Sequence, residues 1–192
     1  MRIINIIGNI DESCLEEVLR QTNEIRLESS YYNPKAIKEP LLVNISSGGG
    51  SVTYGNAIID ELKSLDIPVI TRSIGVSASM AYLIFLAGDY RIMEDNSVLM
   101  YHGSYNEYNG SLQMVKNNLE LDAELESMGD YFITKQTDIK PEKLDYYKQR
   151  SENWYMFKDE AVENMSVTHD LSLQEVLKVV SDENHPLNYT NV

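Results

Sequence analysis

Short apolar runs that alternate with stretches of helical spacing constrain the fold of this chain more than any other feature. Residues 3–7 read as a strand closed by Gly8-Asn9, and Ser13 with Glu16 offers a capping box for a helix running to about residue 28. Residues 41–45 form a second buried strand, followed by the loop Ser46-Ser47-Gly48-Gly49-Gly50-Ser51. Ala57, Ile58, Leu62 and Leu65 line one face of the next helix, and Pro68-Val69-Ile70 begins a third strand. Residues 78–86 are apolar and helical, with Gly88 as a stop, and residues 90–93 and 98–101 are further strands. The order βαβαβα followed by β elements predicts an α/β fold: a mostly parallel sheet with right-handed crossovers and helices on its faces. In such sheets the chemistry sits beyond the strand ends, at loops and helix N-termini.

From Gly110 the pattern changes. Residues 111–137 carry almost no breakers, and Leu121, Leu125, Met128 and Phe132 fall on one face of a long helix. Glu120, Asp122, Glu124, Glu126 and Asp130 share that stretch. A long helix projecting from a compact α/β body predicts packing against a second copy of the chain. The 192 residues, 43% of them hydrophobic, suit one domain with a real core. The expected division is a head at about 1–105 and 140–170 with a handle at about 106–139.

A formal net charge of −14 disfavours nucleic acid and anionic membrane surfaces as partners. The lone Cys14 excludes an internal disulfide framework and a multi-cysteine metal site. No run of 18 apolar residues appears, and the start of the chain lacks the pattern of a secretory signal peptide. A cytoplasmic location is the expectation.

Two segments carry chemistry. In Gly75-Val76-Ser77-Ala78-Ser79-Met80-Ala81, small residues lead a serine into the start of an apolar helix, where unpaired N–H groups favour a developing oxyanion. The competing reading is that Ser77 or Ser79 only caps the helix. In Ser47-Gly48-Gly49-Gly50-Ser51 the glycines let backbone approach a ligand and present N–H groups without a Cβ in the way. A plain turn is the alternative, and a phosphate loop is excluded because no GxxxxGK[ST] occurs. A serine nucleophile needs a base, and the histidines are His102, His169 and His185. His102 follows an apolar strand on the side of the sheet where the strand-to-helix loops open, whereas His169 and His185 sit in polar surroundings.

With those residues in view, the chain resembles the Clp protease proteolytic subunit family (ClpP, peptidase family S14), in a short form. The family runs strand, S-P-G-G-S-V, helix; then G-x-x-A-S-M at the nucleophile; then M-x-H after a strand. The counterparts here are residues 45–52, residues 75–80 and Met100-Tyr101-His102, and Glu160-Ala161-Val162-Glu163 resembles the family's E-A-V-E. The resemblance covers about residues 2–168 in the right order. Gly48 replaces the family's proline, which predicts a less rigid loop. Residues 103–110 replace the usual Gln-Pro start, and Met1 falls where the family's first body strand begins. The resemblance therefore implies a subunit lacking the axial pore loops, with a wide, ungated entrance.

The resemblance implies the ClpP/crotonase-like fold and ATP-independent hydrolysis of peptide bonds by a serine endopeptidase inside a barrel-shaped homo-oligomer. It implies no metal and no organic cofactor. Ser79 would be the nucleophile and His102 the base, with the N–H groups of Gly50 and Met80 as oxyanion hole. Gly49, Gly50 and Ser51 would receive an extended substrate. Aligning the terminal E-A-V-E places the family's catalytic aspartate at Gln149, and Asp145, one helical turn earlier, is the preferred acid; Glu152 and Asn153 are weaker candidates. The partners implied are the chain itself in stacked rings that total 14 subunits, peptides or unfolded proteins as substrates, and an AAA+ unfoldase or a ClpP paralogue. The alternatives are a ClpR-like structural subunit, a phage head-maturation or signal-peptide-degrading peptidase, and a crotonase-type acyl-CoA enzyme.

Overall fold

The computed structural model describes residues 1–32, 39–168 and 170–182. His169 and His185 lie outside the described residues.

Six strands make one sheet. β1 (Arg2–Ile10), β2 (Leu41–Gly50) and β3 (Val69–Ala78) lie side by side and parallel. β3 then serves two neighbours along its length: Ile70 to Ser73 pair with β4 (Tyr90–Met93), and Val76 to Ala78 pair with β5 (Val98–Tyr101), both parallel. β6 (Trp154–Met156) closes the far edge antiparallel to β5. The mixed α/β class and the mostly parallel sheet agree with the sequence expectation.

Alternation along the strands covers both faces, as a buried parallel sheet requires. On one face Leu41, Val43 and Ile45 join Ile4, Ile6, Ile58 and Phe85 in the main core, beneath α1 (Glu12–Tyr32), α2 (Val52–Lys63) and α3 (Met80–Leu86). On the other, Leu42, Ile70, Tyr90 and Ile92 are covered by Val176 and Val179 of a C-terminal helix (Leu173–Ser181), which opens on a full Ser172–Glu175 capping box. That helix is α7. It follows α4 (Leu112–Gln136), α5 (Pro141–Arg150) and α6 (Lys158–Glu163).

Three local readings are corrected. The side chain of Asp11, not Ser13, caps α1, accepting from the Cys14 N–H at 3.0 Å and from the Ser13 hydroxyl at 2.7 Å. The glycine segment is no free loop, because β2 continues through it to Gly50 and pairs with Asn9 and Ile10. Ala78 ends β3 rather than beginning a helix, so the strand delivers Ser79 directly to the turn.

α4 is the exposed element. Ile133 is its buried residue; Leu125 and Phe132 are half-buried against the body, while Leu121 and Met128 lie open to solvent. The face drawn through Leu121, Leu125, Met128 and Phe132 is thus divided between body and solvent.

Candidate active site

Ser79 sits between β3 and α3 with φ 53° and ψ −126°, a backbone region that residues with a Cβ rarely occupy. Its side chain makes no capping hydrogen bond, which removes the helix-cap reading for this residue. Ser77 is no cap either: it is buried and donates to the Ser73 hydroxyl at 2.8 Å. The Ser79 N–H donates to the Met100 carbonyl at 2.8 Å, and Ala78 registers with Met100. The serine and His102 therefore occupy the ends of two adjacent parallel strands. Both line one cavity of about 590 Å³.

Gly49 and Gly50 close the site from β2. Gly49 has φ 102°, and a Cβ there would fall 2.7 Å from the Ser79 Cβ and 3.2 Å from the Met80 nitrogen. Only glycine permits that approach. Gly50, at φ 153°, lies so close to the Ile10 backbone that a Cβ would strike its carbonyl oxygen. These contacts bring the glycine strand end, Ser79 and the first N–H of α3 together.

The family model for Clp protease matches residues 1–164. The chain belongs to the Clp protease family. A curated relative, the ATP-dependent Clp protease proteolytic subunit of Pleurastrum terricola, is 33% identical over 103 residues. That match covers 53% of this chain and 49% of the relative, so it spans about half the length of each.

Around this Clp-family centre, the far wall of the cavity comes from α4, through Leu125, Gly129 and Ile133 and, four residues apart, Asp122, Glu126 and Asp130. The sequence shows these acids only as part of the carboxylate-rich stretch 111–137. Glu120 and Glu124 share the same spacing of four but are exposed, so helix phase and not spacing sets the two groups apart. Each acid holds something. Asp122 accepts from Asn106 at 2.6 Å and from the Tyr108 hydroxyl, raising the phenol's pKa. Glu126 accepts from the Ser104 N–H at 2.6 Å. Residues 103–110 thus run as a strap against α4, with no strand of their own. Asp130 accepts from the Tyr101 hydroxyl at 2.8 Å and from Lys148.

Asp145 and Gln149 both lie on α5. Asp145 is 55% exposed at its side chain and pairs with Lys148 Nζ at 3.1 Å; Gln149 is exposed. Neither lines the cavity. Glu152 and Asn153 are exposed as well. His102 is half-buried, and among the described residues it makes no hydrogen bond to a carboxylate. Hydrogen bonds of this kind commonly tighten only around substrate. Lys148 resists burial, and its contacts with Asp130 and Asp145 more than offset that, holding the ammonium pKa above its ordinary value. α5 is fixed by stacking of Tyr147 on Trp154, ring centroids 5.3 Å apart.

No helix among the described residues is long and apolar enough to cross a membrane.

Proposed function

We propose that this chain is a ClpP-like serine peptidase that hydrolyses peptide bonds within a homo-oligomeric barrel. The observation that carries the reading is Ser79, held in a left-handed turn and facing the cavity that it shares with His102. Ser79 attacks the scissile carbonyl while His102 takes its proton and later returns it to the leaving amine. The N–H groups of Gly50 and Met80 receive the oxyanion; one such donor typically lowers the barrier by about 3 kcal/mol. An extended peptide lies against Gly49, Gly50 and Ser51, adding a strand to the open end of β2. Asp145, the acid preferred at the third position from its spacing, pairs with Lys148 and does not line the cavity, and Gln149 is the aligned alternative.

Assembly through α4 is part of the proposal. Leu112, Met114, Leu119, Leu121, Met128 and Tyr131 are all exposed on that helix, which supports contact with a second ring of like subunits. Unfolded chains and peptides are the substrates, and an AAA+ unfoldase or a longer paralogue is the partner that such a barrel would take. Ser79→Ala tests the chemistry: it should abolish cleavage of an unstructured peptide and leave assembly intact. Equal activity in the variant would defeat the assignment.

The second reading, a ClpR-like scaffold subunit, is favoured by one observation, the exposed position of Asp145 and Gln149. A fluorophosphonate probe separates the two, since a scaffold would not react.

A further inference from the structure

Asp130 stands out among the groups around the cavity. Its side chain is 19% exposed, it lines the same cavity as Ser79 and His102, and it accepts from both the Tyr101 hydroxyl and Lys148. Tyr101 is buried, and its backbone joins directly to His102 at the end of β5. The hydrogen bond at 2.8 Å therefore ties the strand that carries His102 to α4. We infer that Asp130 is the positioning carboxylate of His102, acting through Tyr101 from the long helix, in place of the acid missing at Gln149.

The physical case has two parts. The first is orientation: a hydroxyl anchored on a partly buried carboxylate fixes the Tyr101 ring and so the direction in which the next residue leaves the sheet. The second is charge. Lining the cavity with His102 are Asp122, Glu126 and Asp130 on α4 and Tyr101 on β5; Tyr108 of the strap bonds Asp122, and Lys148 of α5 pairs with Asp130 and Asp145. Three carboxylates line the cavity, and Lys148 compensates part of that charge, so the surroundings remain negative. Burial and the Asp130 carboxylate raise the Tyr101 pKa, keeping the phenol a neutral donor throughout the physiological range.

The inference rests on the peptidase reading for its kinetic arm only. Asp130→Asn keeps an acceptor for the phenol and removes the charge, whereas Lys148→Met leaves the charge uncompensated. NMR titration of the His102 ring, assigned with His102→Gln, is expected to move down in Asp130→Asn and up in Lys148→Met. Damage to the fold would not drive the two in opposite directions. In peptide cleavage, Asp130→Asn should lower kcat on the order of tenfold, with KM changed less than about twofold. Tyr101→Phe should lower kcat as well, while moving the His102 titration less than Asp130→Asn does. Midpoints that stay put, or that move the same way in both variants, overturn the inference. If the midpoints separate while the wild type neither cleaves peptide nor takes up fluorophosphonate, the peptidase reading fails and the Asp130–His102 link stands.

Discussion

A Cβ placed on Gly49 would meet the Cβ of Ser79 at 2.7 Å, so one strand end sets the space available to the other. The same Cβ would stand 2.9 Å from the Ala78 carbonyl oxygen, which is backbone and has little room to give. Gly49→Ala should therefore cost about 2–4 kcal/mol, combining a strained positive φ with overpacking. Fluorophosphonate labelling should fall in parallel with the melting temperature. Unchanged labelling in a stably folded Gly49→Ala protein would show that the close approach does not govern the reactivity proposed for Ser79.

Ser79 itself stores strain. At φ 53° and ψ −126° a glycine would sit more comfortably, and only the extra flexibility of its unfolded chain opposes the gain. Ser79→Gly is expected to stabilise the fold by about 1 kcal/mol while abolishing activity. Chemical denaturation of both proteins reads the difference. A destabilised Ser79→Gly protein would mean that the turn is relaxed.

Arg91 anchors the lower end of α4. It is buried, and its guanidinium donates to the carbonyls of Ser166, Gln136 and Met165 at 2.9, 2.9 and 2.7 Å, while desolvation lowers its pKa. Arg91→Lys keeps a charge and loses the planar fork that spans these acceptors. The expected cost is about 2 kcal/mol in denaturant unfolding, with hydrogen exchange increased at the C-terminal turn of α4.

Glu61 gives a pH dependence whose sign is fixed. Burial opposes its charge, but bonds from Arg26 at 2.5 Å and from Thr22 prevail and hold the carboxyl below its ordinary value. A depressed folded-state pKa contributes stability that is present above the unfolded value near 4.5 and is lost as pH falls through the folded one. Wild type should lose about 1 kcal/mol more than Glu61→Gln between neutral pH and pH values well below 4.5. Parallel stability curves for the two proteins would remove Glu61 from the acid response.

The carboxylates of α4 should make assembly respond to solution conditions. Bringing like charges together raises their proton affinity in the assembled state, so lower pH or higher salt strengthens association. Sedimentation velocity across salt and pH checks this, and monomers under every condition would remove the proposed contact through α4.

The sequence alone determined the elements whose information is local. The apolar runs from residues 3, 41 and 69 specify buried strands because their residues satisfy a sheet on both faces. Residues 111–137 specify a helix because nothing interrupts them. The order of Gly49, Ser79 and His102 along the chain was equally legible, since each lies at a strand end and the parallel connection brings such ends together. What the sequence left open depends on rotation and register. Only the register of Ala78 with Met100 shows that Ser79 and His102 share a cavity. Only the phase of α4 decides that Asp122, Glu126 and Asp130 turn inward while Glu120 and Glu124 do not. The spacing of Asp145 from Gln149, one helical turn, fixes a face and not its target, and the packing of α5 directs Asp145 to Lys148. Helix phase against a sheet is set by side chains far apart in the chain, so only the tertiary structure brings Asp130 to the hydroxyl of Tyr101.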